Sequence, residues 1–448
     1  MLEEIKDEAI NLSEKLIQQL AFYGSKVREK YDYYDNSQTT SNVGIALSNN
    51  MRRKIKPGVG WAARSVTSIT SRLNFEGFSN DRLSINKLLE KAGGISAFNQ
   101  SKIDALIAGC SFIVISEING EYKLIPFNAL EATGVVNQNT GELECGLAVT
   151  EWLYGDQIPK IYSDYQVWPK TYYLFTKKYT ASFINGELVE VVNNPINKPL
   201  IFQITYRQSI HNPLGQSRIS RASRRIIDEV VRLKQRYDIA AEFYSAPRDY
   251  INGLMTGEGE EKPSIETALG KIMTIEKDED GEKPEIGRLP QMSMSQFEDQ
   301  KKGLARDFCA ETSLPLRALG YDTSNPTSAE ALSAMMDDLL LIVKDCQREM
   351  GVEFKNIAIA LEMLINNTSK LPENALSIKP EWSPYTQIDI GATGDALYKL
   401  FEIMPELKGS FESYRKLGLG IEESEKLSSI AKSVDDKNIF MVTGEVEK

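Results

Sequence analysis

The chain has very few of the side chains from which catalytic and metal sites are usually built. Among its 448 residues there is one histidine, His211, so a site with two histidine ligands is excluded. This histidine precedes Asn212 and Pro213, a context typical of a loop or a cap rather than of a general base. The four cysteines form no CxxC pair, which favours free thiols in a reducing compartment over disulfides. The sequence predicts no metal ion and no cofactor.

Nucleotide-binding and ion-binding motifs are also missing. The pattern G-x-x-x-x-G-K-[ST] does not occur, and residues 270–271 (GK) stand without the rest of a phosphate loop. Residues 58–63 (GVGWAA) spell a degenerate dinucleotide fingerprint, but a basic helix-like run precedes them where a strand is required. Residues 278–281 (DEDG) place glycine too early for a calcium loop. Asp337 and Asp338 are adjacent on a predicted helix and point in different directions, so they are poor candidates for a two-metal site. Together these absences favour a scaffold over an enzyme.

The chain has no excess of positive charge and no long apolar run. Acidic residues outnumber basic ones, 63 against 52, and the net charge is −11. Because phosphate contacts supply most non-specific affinity for DNA, this charge disfavours a tight DNA clamp. It does not exclude a protein that encloses DNA and lets it slide. Apolar runs such as residues 339–343 are too short to span a bilayer. The acidic start MLEEIKDEAI differs from a signal peptide, so we expect a soluble intracellular protein.

Helical periodicity comes first along the chain, strand alternation second and helical periodicity again third. Residues 1–35 predict one amphipathic helix, residues 51–78 a second that ends in NFEGF, and residues 83–108 two short helices. The turns Asn119-Gly120 and Asn185-Gly186 are typical of β-hairpins. This order predicts an α+β fold. The expected strands are 112–116, 122–126, 133–136, 146–151, 172–176, 180–184 and 188–192, forming an antiparallel meander, followed by 200–206.

Two segments are rich in basic residues. Residues 51–56 (MRRKIK) are open to three interpretations: a solvated face, a subunit contact or a DNA patch. After Gly215 the pattern predicts a helix of about 30 residues, with aliphatic side chains along one stripe and arginines along another. The basic stripe faces either nucleic acid or the acidic side chains of a neighbouring chain, and packing against a neighbour is favoured. Its members are Arg218, Arg221, Arg225, Arg232 and Arg236.

A helix, a loop and a much longer helix dominate the second half of the sequence. Residues 247–293 predict short strands joined by polar turns, and residues 294–311 predict a helix. The loop that follows contains prolines and a glycine that end regular structure. The capping box at residues 327–330 (TSAE) then opens a proline-free helix of about 40 residues, roughly 60 Å long. A kink is expected at Gly351.

This arrangement resembles the portal proteins of tailed bacteriophages, in particular the siphophage type. The matching features are a helix ending in SLPLRALG, a polar loop, and NPTSAEAL at the start of a long helix. The segment PLGQSRI before the arginine-rich helix and the W-x-P motif at residues 382–384 agree with the same family in content and order. The resemblance covers most of the chain and includes no catalytic residue.

The resemblance implies a portal fold with long stem and spine helices, an antiparallel β-rich wing, a small β clip and a helical crown. On this sequence the parts are the wing (1–215), the first stem helix (216–246), the clip (247–293), the second stem helix (294–312), the tunnel loop (313–326), the spine helix with its following segment (327–390) and the crown (391–448).

The same resemblance implies a ring, dodecameric in the virion, at one capsid vertex through which double-stranded DNA is packaged and ejected. The expected partners are the terminase large subunit, head-completion or adaptor proteins, and the major capsid and scaffolding proteins. Assembly is expected in the host cytoplasm, without a membrane. A different head or neck scaffold protein is the alternative, and an enzyme acting on nucleic acid through Asp337 and Asp338 is a third hypothesis.

The resemblance also assigns roles to three sets of residues. The arginine stripe would pack stem helices of adjacent subunits. The tunnel loop would line the DNA channel with Arg317, Tyr321, Asp322, Thr323, Ser324 and Asn325. The clip would dock the packaging motor and later the neck proteins through Arg248, Asp249, Tyr250, Lys277, Asp278, Glu279 and Asp280.

Overall fold

The computed structural model describes residues 2–38, 58–81, 83–137, 139–155, 167–244, 249–252, 285–288, 293–321, 336–385 and 390–444. Within these ranges helices precede and follow a strand-rich middle, so the predicted mixture of separate helical and antiparallel regions is confirmed. No helix in them combines the length and the apolar character needed to cross a bilayer. The helices are α1 (Leu2–Tyr34), α2 (Trp61–Thr70), α3 (Ile85–Lys91), α4 (Gly94–Ala108), α5 (Arg221–Tyr244), α6 (Ser295–Thr312), α7 (Asp337–Ile365), α8 (Ile390–Ile403), α9 (Phe411–Lys416) and α10 (Ile421–Gly444), with 3-10 turns at Leu316–Leu319 and Pro405–Leu407.

The described strands form four antiparallel sheets with the orders β1-β12, β10-β11, β3-β2-β9 and β4-β5-β6-β7-β8. Their bounds are β1 (Phe75–Ser79), β2 (Cys110–Ile118), β3 (Glu121–Phe127), β4 (Ala132–Val136), β5 (Leu143–Tyr154), β6 (Val167–Thr176), β7 (Tyr179–Ile184), β8 (Glu187–Asn193), β9 (Ile201–Thr205), β10 (Asp249–Asn252), β11 (Glu285–Arg288) and β12 (Lys379–Trp382).

The chain divides into two compact units. The first comprises Met1–Gln38, Gly60–Arg225 and Phe308–Lys448, and the second comprises Thr39–Val59 and Ile226–Asp307. The first unit therefore holds most of the helices and the three sheets outside β10-β11. The second unit holds the larger parts of α5 and α6 together with the β10-β11 pair.

In the first unit, the apolar side of α1 packs against the five-stranded sheet. Ala9, Leu16 and Leu20 are buried, as the helical spacing of apolar residues in this segment predicted. They share one core with Leu147, Leu174, Phe183 and other side chains of β5, β6 and β7. Burial of this stripe gives the helix tertiary packing, from which most helical stability in proteins comes.

Both predicted hairpin turns are present. Asn119 and Gly120, which join β2 to β3, have φ values of 54° and 78°. Asn185 and Gly186, which join β7 to β8, have φ values of 52° and 85°. Two consecutive residues with positive φ give the turn the twist of the flanking strands, and asparagine and glycine adopt this conformation at least cost.

The strands do not form one continuous meander. Strands β4 to β8 follow one another in a single sheet, as predicted, whereas β2 and β3 belong to a separate sheet with β9. Strand β9 returns to pair with β2, from Cys110 opposite Thr205 to Val114 opposite Ile201. Alternation within a strand identifies its buried face but not its partner, so the continuous meander was a wrong prediction.

Residues 75–79 form a strand, whereas the sequence predicted that they end a helix. Helix α2 ends at Thr70, and β1 pairs with β12 so that Phe78 lies opposite Pro380. The strand is stabilised by aromatic packing that joins segments distant in the sequence. The rings of Phe75 and Phe354 meet edge to face with centroids 4.9 Å apart. The other members of this aromatic cluster are Phe78, Phe98 and Trp382.

Helix α7 is the described part of the predicted long helix, and the expected capping box at residues 327–330 lies outside the described residues. The helix continues through Gly351, where a kink was expected. A Cβ at Gly351 would lie 3.0 Å from Pro380 Cγ and 3.3 Å from Trp382 Cζ2. The glycine therefore permits the close approach of β12 to the helix.

The C-terminal region contains α8, α9 and α10, and α10 is longer than the short helices predicted there. Arg415 on α9 forms an ion pair of 2.5 Å with Glu76 of β1, and its Nε lies 3.7 Å from an oxygen of Glu381 on β12. Its other guanidinium nitrogen donates to the carbonyl of Trp382 at 2.9 Å. One arginine thus connects α9 to the β1-β12 sheet.

The second unit is built from α5, α6 and one pair of strands. Ile227, Val230 and Leu233 of α5 are buried. The ring of Tyr237 meets that of Phe297 on α6 edge to face, with centroids 5.8 Å apart. The backbones of β10 and β11 pair antiparallel, which confirms the prediction of short strands in residues 247–293.

All four cysteines are buried free thiols, as predicted. Burial raises the pKa of Cys110 and Cys346 to about 12, and that of Cys145 and Cys309 to about 11. Because the thiolate is the reactive form, these cysteines are chemically inert near neutral pH.

Candidate functional site

The base of the predicted tunnel loop is a sharply turned segment that follows α6. The amide of Leu314 donates to the carbonyl of Cys309 at 3.1 Å, and Ser313 has a φ of 49°. A 3-10 turn over Leu316–Leu319 comes next. It ends at Gly320, which has a φ of 84° and whose amide donates to the carbonyl of Arg317 at 3.0 Å. Glycine is favoured at this left-handed position, so the sequence signal at Gly320 has a clear structural cause.

Side chains from distant parts of the first unit hold this loop base in place. The ring centroids of Trp61 on α2 and Phe308 on α6 lie 5.3 Å apart. Arg64 Nε donates to the carbonyl of Ala318 at 3.0 Å. Ser220 Oγ donates to Glu311 Oε1 at 2.7 Å. The loop is therefore anchored at its base by aromatic packing and by hydrogen bonds.

Two of the six predicted channel residues lie within the described part of the chain. Arg317 is exposed on the 3-10 turn, and Tyr321 is half-buried just beyond Gly320. The other four, Asp322, Thr323, Ser324 and Asn325, lie outside the described residues. Contact of these residues with DNA stays a prediction.

The structure places two further arginines near Arg317 that sequence reasoning did not single out. Arg64 and Arg72 lie on or just after α2, with Arg64 exposed and Arg72 half-buried. Arg72 Nη1 donates to the carbonyl of Ser68 at 2.6 Å. Burial, followed by repulsion from Arg64 and Arg317, lowers the pKa of Arg72 from its ordinary value. We call Arg64, Arg72 and Arg317 the loop-base arginines.

The sequence signal for these arginines is the local balance of charged residues and not a motif. Residues 36–75 contain no aspartate or glutamate, although 63 of the 448 residues of the chain are acidic. The same stretch contains six basic residues, two of which are Arg64 and Arg72. The absence of acidic residues marks the whole stretch, whereas the short basic run within it covers only residues 51–56.

The arginine stripe predicted on the first stem helix is only partly on that helix. Helix α5 begins at Arg221, so Arg218 precedes it. The side chain of Arg218 is 5% exposed, and its guanidinium donates to the carbonyl of Thr312 and, at 3.3 Å, to Tyr206 Oη. These bonds are made within its own chain and support the end of α6. The structure thus gives Arg218 an internal structural contact, and its predicted role in subunit packing stays a prediction.

The remaining members of the stripe have mixed surroundings. Arg221, Arg225 and Arg236 are exposed. Arg232 is half-buried, with Nη2 3.9 Å from an oxygen of Glu229 on the same helix. A role of these four arginines in subunit packing stays a prediction.

The predicted docking residues of the clip fall mostly outside the described residues. Arg248 and residues 277–280 are not within them. Asp249 and Tyr250 belong to β10, where they pair with Arg288 and Gly287 of β11. The structure thus gives these two positions a strand backbone, and their docking role stays a prediction.

Other chemistry-bearing residues do not converge on a site in the described part of the chain. Within those ranges no group of three or more histidine, cysteine, aspartate or glutamate side chains is arranged to hold a metal ion. Asp337 and Asp338 are both exposed in the first turn of α7. His211 is exposed in the loop between β9 and α5.

No family model matches the chain. The portal protein of Mycobacterium phage L5 is 22% identical over 463 aligned residues, covering 95% of this chain and 89% of the relative. The portal protein of Mycobacterium phage D29 is 22% identical over 458 residues with the same coverage. The chain is a relative of the phage portal proteins.

Solved structures give a weaker likeness. The neck of a native gene transfer agent particle matches with a TM-score of 0.43 and 16% identity, covering 80% of this chain and 89% of that chain. The virion of the native particle matches with a TM-score of 0.41 and 13% identity, covering 77% and 85%. A likeness of this size is too small to argue from, so the relationship to portal proteins rests on the two phage sequences.

Proposed function

We propose that this protein is a portal protein: the ring at one vertex of a tailed-phage capsid through which double-stranded DNA enters and leaves. The observation that carries the proposal is the relationship to two phage portal proteins over 95% of this chain. Because the match covers 89% of each relative, it concerns nearly the whole portal protein and not a shared module. The proposed role is structural and requires no catalytic residue.

The order of elements supports this proposal. Helix α5, the short β10-β11 pair, helix α6, the loop base and the long helix α7 follow one another along the chain. This is the order of first stem helix, clip, second stem helix, tunnel loop and spine helix that the resemblance implies. We therefore assign residues 216–246, 247–293, 294–312, 313–326 and 327–390 to these parts, with the wing before them and the crown at 391–448.

A ring assembled from identical copies is part of the same proposal. Head-to-tail contacts that close on themselves give a ring, in which each copy offers two different faces to its neighbours. The exposed arginines 221, 225 and 236 of α5 offer positive charge for such contacts. The partners would be double-stranded DNA in the channel, the terminase large subunit and head-completion proteins on the clip, and the capsid shell around the ring.

The size of the protein in solution tests the proposal. Mass photometry of the purified chain over a concentration series is expected to show a closed oligomer of about a dozen copies, without a ladder of larger species. A stable monomer or dimer at every concentration, with no larger species, would contradict it. Another head or neck scaffold protein would then be the better hypothesis.

The tunnel loop has its own test. We expect deletion of residues 321–324 to leave assembly intact, because the bond from Arg64 to the carbonyl of Ala318 and the turn that closes at Gly320 hold the loop base and precede the deleted residues. DNA packaging in the phage that carries the deletion is expected to fall, as measured by the yield of DNA-filled heads. Normal packaging by assembled deletion rings would reject the channel assignment without affecting the portal assignment.

A further inference from the structure

The loop-base arginines form a concentration of positive charge in an acidic chain. Arg64 is held beside the 3-10 turn by its bond to the carbonyl of Ala318, which is the residue that follows Arg317. Arg72 is close enough to both Arg64 and Arg317 for their charges to repel it. Within the described residues no carboxylate forms an ion pair with any of the three, whereas Arg415 and Arg224 each have a glutamate partner. The three guanidiniums thus share one region, in which no carboxylate of the described residues pairs with them.

The surrounding sequence is free of acidic residues over long distances. About one residue in seven of the chain is acidic, 63 of 448, yet residues 36–75, 191–227 and 312–321 contain none. The structure brings described parts of these three stretches together. Arg64 of the first stretch bonds to Ala318 of the third, and Arg218 of the second bonds to Thr312 of the third. Described parts of three separate acid-free stretches thus meet at the loop base, where Glu311, just before the third stretch, accepts from Ser220 at 2.7 Å.

We propose that Arg64, Arg72 and Arg317 bind the phosphate groups of a nucleic-acid backbone at the base of the tunnel loop. The inference rests on the proposed function, since it names residues that would meet the DNA in a portal. Guanidinium groups donate hydrogen bonds in a planar fork that matches phosphate oxygens. Phosphate contacts of this kind are independent of base sequence and weaken steeply with salt, which suits DNA that must slide past the loop.

The breadth of the acid-free region favours a polyanion over a single carboxylate of a neighbouring subunit. A subunit contact needs only a local match between one cation and one anion. Here the acidic residues are absent from three stretches, although the chain as a whole carries a net charge of −11. A low density of acidic residues near the three arginines lowers the repulsion felt by an approaching line of phosphates, because charges within about 10 Å act together at ordinary ionic strength.

The test compares duplex DNA binding by the assembled protein, by two triple variants of these arginines and by one control triple variant. The probe is a short fluorescein-labelled DNA duplex, and binding is followed by fluorescence anisotropy over a range of salt concentrations. The first variant carries Arg64→Gln, Arg72→Gln and Arg317→Gln. It is expected to bind roughly tenfold or more weakly at low salt, with a shallower dependence of affinity on salt, by about one in the log–log slope for each phosphate contact removed.

A matched control removes the same charge elsewhere. Lys87, Lys177 and Lys178 are exposed on α3 and on the turn between β6 and β7, and their replacement by glutamine is expected to change affinity by less than about twofold. The second triple variant replaces the three arginines by lysine, which keeps the charge and loses the fork. It is expected to recover most of the binding if phosphate charge is what matters.

Three results would overturn the inference. The first is that wild-type protein binds no duplex, and the second is that the glutamine variant binds as tightly as wild type. The third is that the control variant loses as much affinity as the glutamine variant. Mass photometry of every variant distinguishes failure of this inference from failure of the proposed function. If the variants form normal oligomers and their DNA binding does not depend on the arginines, the portal assignment still stands. If the glutamine variant alone fails to assemble while the lysine variant assembles, the arginines contact a neighbouring subunit instead.

Discussion

Removal of one side chain, Arg415, should loosen the connection between the C-terminal helices and the β1-β12 sheet. Arg415 is 13% exposed, and its glutamate partners Glu76 and Glu381 are 22% and 24% exposed. Its guanidinium also donates to the carbonyls of Trp382 and Leu419 at 2.9 and 2.7 Å. The substitution Arg415→Ala would leave two half-buried carboxylates on paired strands without their cation.

The expected size of the effect follows from this degree of burial. Breaking a fully buried ion pair by removing one partner costs about 3–5 kcal/mol, whereas an exposed pair is worth about 0.2–1 kcal/mol. With exposures between an eighth and a quarter, the loss should lie between these limits, at about 2–3 kcal/mol. In a local opening reaction, this corresponds to a rise of roughly 30- to 150-fold in the open fraction, since about 1.4 kcal/mol is a factor of ten.

Amide hydrogen exchange followed by mass spectrometry is the appropriate assay, because it reports local opening in a chain of more than one unit. Peptides covering α9 and the β1-β12 pair should exchange faster in the variant, while peptides of β4 to β8 should not change. The control is Arg348→Ala, whose partner Asp345 is 2.9 Å away in an exposed pair, and no peptide should respond. Protection of α9 within about threefold of wild type in Arg415→Ala would refute the reasoning.

Three further predictions concern packing and pH. Gly351→Ala should lower the free energy of unfolding, because its Cβ would lie 3.0 Å from Pro380 Cγ. This contact should outweigh the advantage of alanine as a helix former, which is about 1 kcal/mol. Gly24→Ala in α1, with open space around it, should raise the free energy of unfolding. Burial raises the pKa of Cys110 from 9.0 to about 12. The buried neutral thiol therefore contributes stability below pH 9, and this contribution is lost as the pH rises toward 12. Over that pH range Cys110→Ala should lose less stability than wild type. Burial lowers the pKa of Lys102 from 10.5 to about 8, so the unfolded state binds more protons between these pH values. Raising the pH from 8 to 10.5 should therefore stabilise wild type relative to Lys102→Met.

Urea unfolding followed by tryptophan fluorescence measures all three. Equal effects of the two glycine substitutions would show that the contact with Pro380 does not limit the packing of α7. A stability difference between wild type and the Lys102 or Cys110 variant that stays constant with pH would show that burial does not shift the corresponding pKa.

The sequence predicted those elements whose signal is local. The helical spacing of apolar residues identified α1, because one face of it is buried against a sheet. Asn119-Gly120 and Asn185-Gly186 identified two turns, because these residues accept positive φ. A helix was predicted at residues 294–311, and one is observed at Ser295–Thr312.

The features that the sequence did not reveal depend on contacts between distant segments. Phe75 and Phe78 belong to a strand because Trp382 and Phe354, some 300 residues later, complete their aromatic cluster. Arg218 looked like a member of the helix stripe, but the helix begins at Arg221 and the guanidinium of Arg218 turns inward to Thr312. The loop-base arginines come together only when α2 packs beside the 3-10 turn. Spacing along the chain carries no information on such encounters.

Electron microscopy of the purified protein in negative stain tests the central claim most directly. The portal proposal predicts closed rings of about a dozen copies, with an axial opening wide enough for duplex DNA. Compact particles without an axial opening, persisting at high protein concentration and after addition of duplex DNA, would contradict it.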